Sequence, residues 1–250
     1  MKEMLMKSAD KALVRRFRFV SRVFLALLLM AFSSSVLVAE PLLSAREASQ
    51  SPTPVTKQEV TQGQAVQQLV SALQVIDRFR ATFTQLTQDA EGATLQEIRG
   101  SMQWRRPRQF RWRITEPYQQ TLVVVNDKLW IVDDDLEQVT IQRLSEQATG
   151  PTPAVLLSGD PAEIEQHYRV EHDKLPGGTQ RFTLTPRNEE ALFDQLRVVF
   201  RDELLVEMDF SDSLGQRTAI NFADASRQFT QDAGVFQVAI PDGYDVVDDE

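Results

Sequence analysis

Apolar and polar residues alternate with period two along most of the chain after Asp77, as in Phe79, Ala81 and Phe83 against Arg80 and Thr82. This alternation is typical of half-buried β-strands. Turn-forming residues separate the alternating stretches, and no helical crossovers intervene, which favours antiparallel meander pairing. Strands are predicted near 78–88, 94–105, 109–115, 120–126, 128–134, 137–143, 168–175, 179–186, 193–201, 204–211, 216–224 and 235–240.

The pattern changes to helical spacing in two places. Residues 64–76 form an amphipathic helix whose apolar positions include Leu69 and Leu73, while glutamines and Ser71 occupy the other side. Its apolar face could pack into a core or serve as a movable cover, and the pattern allows both. The prolines of residues 149–167 bracket an apolar block at 154–157, which predicts a short helix that includes Leu156.

Ten or more strands with helices at only two places predict a mainly β fold. We expect a curved antiparallel sheet that forms an incomplete, open β-barrel, with a lid of a few α-helices over its concave side. A barrel of more than about eight strands encloses more space than its own side chains fill. A hydrophobic cavity is therefore predicted.

Aromatic and basic residues interleave most densely in residues 100–115. Pro107 has no N–H for a sheet ladder, so it belongs in the turn of a hairpin and leaves Arg106 at the rim. Around it, three aromatic residues alternate with five arginines: Trp104, Phe110 and Trp112 with Arg105, Arg106, Arg108, Arg111 and Arg113. The aromatics could fill an ordinary core beside solvated arginines, or stack on nucleic-acid bases.

The N-terminus has the composition of a secretory signal peptide. Basic residues precede an uninterrupted apolar stretch at 23–32, which is too short to span a bilayer. We expect residues 1–39 to be removed by cleavage after Ala39, with Ala45 as a second candidate and an uncleaved anchor as the alternative. Residues 40–62, rich in proline and polar residues, are predicted to form a flexible linker. Residues 63–250 then form one domain.

Charge and cysteine content narrow the class of function. Residues 1–39 hold seven basic and two acidic residues, so the mature chain keeps 20 basic and 34 acidic residues, a net charge of −14. Such a chain is a poor partner for nucleic acid, which leaves the arginine-rich hairpin without that role. The sequence contains no cysteine, so neither a disulfide nor a lipid anchor on cysteine is expected, and we predict a soluble protein.

Residues that carry catalysis are scarce. Histidine occurs only as His167 and His172, which should point to opposite faces, and the motifs of zinc proteases and serine hydrolases are absent. The acidic run at 133–135 is best read as a solvated turn. We therefore predict no enzyme, and no catalytic, metal or cofactor site. A periplasmic hydrolase of unrecognised kind remains the least favoured alternative.

The motif R-P-x-x-F-x-W, from Arg106 to Trp112, resembles the central motif of the outer-membrane lipoprotein carrier protein family, LolA. Further similarities follow in order at 79–85, at Gly100 with Trp104, at Leu129 and Trp130 with 133–138, and at 149–157. The resemblance runs from about residue 64 to the C-terminus. The long stretch at 40–63 and the additional arginines at 105, 108, 111 and 113 depart from the motif.

This resemblance implies a monomeric periplasmic carrier without a cofactor. Its cargo would be acylated lipoproteins, received from an inner-membrane ABC transporter and passed to an outer-membrane receptor. Arg106 would be the latch that bonds to the lid, with Pro107 and Phe110 at the rim where transfer occurs. The acyl-chain cavity would be lined by Phe79, Phe83, Met102, Trp104, Trp112, Ile114, Trp130, Leu69, Leu73 and Leu156. A carrier or sensor of other lipids, such as glycolipids or polyketide-type products, is the alternative with the same fold.

Overall fold

The computed structural model describes residues 61–143, 161–188, 191, 193–230, 232 and 234–248. Two helices and twelve strands lie within these residues. They are α1 (Gln62–Gln74), β1 (Arg78–Gln88), β2 (Thr94–Arg105), β3 (Gln109–Glu116), β4 (Gln120–Val125), β5 (Lys128–Asp133), β6 (Gln138–Arg143), α2 (Pro161–His167), β7 (Tyr168–Leu175), β8 (Thr179–Pro186), β9 (Gln195–Arg201), β10 (Leu204–Ser211), β11 (Arg217–Ser226) and β12 (Asp245–Asp248).

All twelve strands belong to one sheet with the order β12-β6-β5-β4-β3-β2-β1-β11-β10-β9-β8-β7. Two meanders, β1 to β6 and β7 to β11, are joined where β1 pairs with β11. Every neighbouring pair is antiparallel except β12 with β6. Since β12 and β7 are free edges, the sheet does not close. The predicted mainly β fold, with an incomplete antiparallel barrel, is confirmed.

The period-two pattern decides which face of the sheet is buried. In β1, Phe79, Ala81 and Phe83 are buried, whereas Arg80 and Thr82 are exposed. We call the face that carries Phe79 the inner face, and the opposite face the outer face. Because paired residues in an antiparallel sheet lie on the same side, the strand register extends both faces across the neighbouring strands.

Helix α1 buries one apolar stripe made of Ala65, Val66, Leu69, Val70 and Leu73. It packs on β7 and α2. Gln62, its first residue, binds the backbone of β7 at two points. Its side-chain nitrogen donates to the Tyr168 carbonyl at 3.2 Å, and its oxygen accepts from the Val170 N–H at 2.9 Å. The helix is thus attached to the sheet at its N-terminal end.

The predicted last strand at 235–240 is wrong. The chain makes a turn there, and the last strand follows at Asp245–Asp248, parallel to β6. The reason is that the Val235 carbonyl accepts from the Arg111 side chain at 2.8 Å, while the Gln237 N–H closes a local turn onto the Gly234 carbonyl. Backbone groups used in this way are not available to a ladder.

The second predicted helical region is described only in its last part. The apolar block at 154–157 lies outside the described residues. Helix α2 begins at Pro161, and proline suits the first position of a helix because no N–H group is needed there. In the part of the chain that the structure describes, no helix is both long and apolar enough to cross a membrane.

Candidate functional site

Aromatic side chains from β1, β3 and β11 form one cluster on the inner face. Trp112 stacks on Phe83 with ring centres 3.7 Å apart, and Phe110 lies 6.2 Å from Trp112 on a nearly parallel plane. The Phe222 ring meets Trp112 edge-on at 6.5 Å and Phe79 at 6.2 Å. These rings give the sheet a continuous aromatic wall between its two meanders.

A glycine makes the closest of these contacts possible. Gly100 in β2 pairs with Phe83 on one side and with Ile114 on the other. A Cβ atom at Gly100 would come within 2.7 Å of the Phe83 ring and would overlap the Arg113 carbonyl oxygen. Without that Cβ, the Phe83 ring lies flat over β2 and reaches Trp112.

The structure brings most of the predicted cavity residues together. Six of them are buried on the inner face of β1 to β3, namely Phe79, Phe83, Met102, Trp104, Trp112 and Ile114. Leu69 and Leu73 belong to the buried stripe of α1. All eight of these side chains are buried in this conformation, and Trp112 is only 6% exposed. Their access to a ligand therefore requires a movement of the elements that cover them.

One of the predicted cavity residues, Trp130, does not join this group. Trp130 pairs with Val123, which pairs with Arg111 on the outer face. On the inner face, Trp112 pairs with Leu122 and then with Ile131. Trp130 thus points away from the aromatic wall and is removed from the proposed cavity. Leu156 lies outside the described residues.

Arg106 connects the β2–β3 hairpin to the C-terminal end of α1. Its Nε donates to the Ile76 carbonyl at 3.3 Å, and one of its terminal nitrogens donates to the Leu73 carbonyl at 3.2 Å. Its backbone N–H bonds to the Asp77 carbonyl at 2.9 Å. The guanidinium carbon also lies 5.2 Å from the centre of the Trp104 ring. The helix, the connection after it, the hairpin and the Trp104 ring therefore meet at this one residue.

The end of a helix is a favourable place for this cation. The last carbonyls of an α-helix have no partner within the helix and carry a partial negative charge. Arg106 supplies donors and positive charge to that end of α1. Pro107 follows in the turn with its side chain exposed, and Phe110 lies half-buried opposite Trp104. The geometry thus places Arg106, Pro107 and Phe110 at one edge of the aromatic wall.

Residues 74–239 match the family model described as outer membrane lipoprotein carrier protein LolA. The chain belongs to this family. A carrier protein of Hahella chejuensis is 41% identical over 73% of this chain and 87% of its own length. One from Pseudomonas aeruginosa is 40% identical over the same shares. An uncharacterised conserved protein from Thermus thermophilus, 14% identical, has the same fold with a TM-score of 0.50 over 74% of this chain and 99% of its own.

Two arginines that depart from the LolA motif have partners in the C-terminal segment. On the outer face, Arg111 donates to the Val235 carbonyl at 2.8 Å, and the Arg105 guanidinium lies 5.5 Å from the centre of the Phe236 ring. Burial, and to a lesser degree the neighbouring Arg113, lowers the pKa of Arg111 from its ordinary value. Strand alternation could place these arginines on the outer face, but nothing in the pattern indicated a partner more than a hundred residues away.

Proposed function

We propose that this chain is a periplasmic chaperone that carries lipoproteins from the inner to the outer membrane. In this proposal the acyl chains are sheltered between the inner face of the sheet and helix α1, which acts as the lid. Membership in the LolA family and relatives that are named lipoprotein carrier proteins support the class of function, a carrier. The observation that carries the proposal is the aromatic inner face beside a helix whose end is tied down by Arg106.

The energetics suit a carrier that must also release its cargo. Burial of one methylene group contributes about 0.8 kcal/mol, so an acyl chain of about a dozen carbons offers roughly 10 kcal/mol. To enter, the chain must separate aromatic rings that already pack on one another and free the end of α1 from Arg106. These costs reduce the net affinity, and they allow transfer to an acceptor that binds acyl chains more tightly.

Polar groups on the inner face lower the affinity further. Gln85 and Thr87 are buried on the inner face of β1, and the Thr87 hydroxyl lies 3.2 Å from that of Thr218. An acyl chain that lies against such groups gains less than it would gain from a wholly apolar wall. A mixed wall is appropriate for a site that binds reversibly.

The remaining assignments complete the proposal. Residues 1–39 are a signal peptide, residues 40–62 a flexible linker and residues 63–250 the carrier domain, which acts in the periplasm as a monomer. The partners are an inner-membrane ABC transporter that supplies the lipoprotein and an outer-membrane receptor that accepts it. Phe110, half-buried at the edge of the wall, contacts these partners during transfer, and the carrier binds no nucleic acid.

The test is to isolate the protein from periplasm and identify what it carries by mass spectrometry. We expect triacylated protein, and we expect the carrier itself to begin near Glu40. Recovery of free glycolipid or another free lipid in its place would overturn the lipoprotein assignment in favour of a different lipid carrier. A preparation that neither carries lipid nor takes up a triacylated lipopeptide in vitro would overturn the carrier function altogether.

A further inference from the structure

A hollow of about 220 Å³ separates the last two turns of α1 from strands β8 and β9. Its floor is Phe200, which is buried and whose ring meets Phe182 edge-on at 5.9 Å. Ala72 and Val75 form its apolar side, and Val75 is 48% exposed at the protein surface. The hollow therefore leads from solvent, between the helix and the sheet, to aromatic side chains of the second meander. Gln68, Ser71, Gln180 and Glu203 complete its lining.

One arginine spans the border of this hollow. Arg227 lies just after β11, and one of its terminal nitrogens donates to the Val75 carbonyl at 3.3 Å. The other terminal nitrogen binds a carboxylate oxygen of Glu203, in the β9–β10 turn, at 2.6 Å. Val75 and Glu203 both line the hollow, one on the helix side and one on the sheet side. The planar guanidinium, with donors in a fixed fork, is suited to such a bridge.

Arg227 and Arg106 hold the same end of α1 from different parts of the sheet. Arg106 engages the carbonyls of Leu73 and Ile76 from the β2–β3 hairpin, and Arg227 engages that of Val75. Three carbonyls within four residues at this helix end thus accept from two arginines. If α1 is to move away from the sheet at this end, both contacts must break.

We propose that this hollow is the mouth through which an acyl chain passes between α1 and the sheet, and that Arg227 and Glu203 hold it closed. The inference rests on the proposed carrier function. An acyl chain fits the apolar contacts offered by Ala72, Val75 and Phe200. The polar side chains at the rim suit the ester and amide groups at the head of a lipidated peptide, which would stay nearer to solvent.

The first experiment blocks the mouth. Because the chain has no cysteine, Ala72→Cys carries the only thiol and can be labelled with a bulky maleimide. Asn221→Cys, at an exposed position of β11 outside the hollow, is the matched control. Uptake of a dye-labelled triacylated lipopeptide is followed by fluorescence. Labelling at residue 72 should slow uptake about tenfold or more, whereas labelling at residue 221 should leave it unchanged.

The outcomes separate the two proposals. If the unmodified protein takes up no lipopeptide, the carrier function fails. If it takes up lipopeptide and the label at residue 72 does not slow that uptake, the carrier function stands and the mouth lies elsewhere.

The second experiment tests the bridge. Arg227→Ala should raise the rate of lipopeptide uptake by up to about fivefold, the range expected for a partly exposed charge pair. Arg227→Lys keeps the positive charge but lacks the forked donors of the guanidinium, so its rate of lipopeptide uptake should lie between those of Arg227→Ala and the unmodified protein. Arg201→Ala is the control, because Arg201 ends β9 beside the same turn and bonds to the Thr179 hydroxyl at 3.4 Å, not to α1. Equal uptake by Arg227→Ala and Arg201→Ala, with both variants folded by circular dichroism, would overturn the role of Arg227.

Discussion

Arg106→Leu is the sharpest test of the lid, because the structure shows which contacts the substitution removes. The variant loses the side-chain bonds to the Leu73 and Ile76 carbonyls, at 3.2 and 3.3 Å. A bond to a charged group contributes about 1.5–3 kcal/mol, and both distances are longer than the usual 2.9–3.0 Å. We therefore assign about 2 kcal/mol to the pair. If both bonds exist only in the closed state, the ratio of open to closed lid rises about 30-fold.

The expected phenotype is asymmetric. Loading of a triacylated lipopeptide should persist or improve, because opening costs less. Transfer to an acceptor should fall, because return to a stable closed form no longer favours release. The assay measures lipopeptide retained on the carrier and lipopeptide delivered to the receptor or to acceptor membranes, over the same time course.

The control must be an arginine on the other face of the sheet. Arg105 satisfies that condition by strand alternation, but it contacts Phe236, so Arg105→Leu also loosens the C-terminal segment. Arg113, exposed on the outer face of β3, is the cleaner choice. If Arg106→Leu delivers cargo as well as the unmodified protein, or if Arg113→Leu shows the same defect, Arg106 does not act as a latch.

Three further predictions concern the wall of the site and the second meander. Gly100→Ala should lower stability by about 3 kcal/mol in urea denaturation, since the new methyl group must displace the Phe83 ring or the neighbouring strand; unchanged stability would contradict the geometry at β2. Trp112→Glu should abolish lipopeptide binding while circular dichroism still shows a folded sheet, and the idea of a ligand-binding wall is lost if the variant unfolds and the unmodified protein binds no apolar dye. Burial lowers the pKa of His172 in the folded protein below its ordinary value of 6.5. Between the folded and the unfolded pKa the unfolded chain therefore binds more protons, and the free energy of unfolding falls as the pH drops through that interval. Urea denaturation at about pH 7.5 and about pH 5.5 should show that His172→Gln loses less stability at the lower pH than the unmodified protein does. An equal loss in both proteins would refute the lowered pKa of His172.

Local patterns predicted most of the sheet. From Phe79 to Phe83 in β1, and from Ile98 to Trp104 in β2, the buried side chains are the apolar ones of the period-two pattern, so the strand and its buried face follow from the sequence. Farther along β1 the polar Gln85 and Thr87 are buried, which the pattern does not predict. The same reasoning placed Pro107 in a turn and Arg106 at the rim. Strand alternation and the effect of a proline on its neighbours depend only on residues a few positions apart, so a single sequence is enough to predict them.

Features that depend on distant partners could not be predicted in this way. Trp130 is an aromatic residue in a strand, as the residues of the aromatic wall are, but it lies on the outer face because it pairs with Val123. No pattern within β5 fixes that register. Arg227 lies at the end of a strand, and its role arises only where the fold brings Val75 and Glu203 to either side of it. Long-range register and contacts across more than a hundred residues come from the assembled sheet.

The two ends of α1 are attached by different kinds of contact, and this difference bears on how the lid opens. At the N-terminal end, Gln62 forms two neutral hydrogen bonds to the backbone of β7, in the manner of an added strand residue. At the C-terminal end, the contacts come from the side chains of Arg106 and Arg227, which can rotate away and exchange carbonyl oxygens for water. At both ends a side chain bonds to backbone groups, but the single amide of Gln62 bonds to two residues of the same strand, whereas each longer cationic side chain at the other end can exchange a carbonyl oxygen for water on its own. The helix should therefore swing about its Gln62 end, so that the hollow beside Val75 widens before the rest of the lid moves.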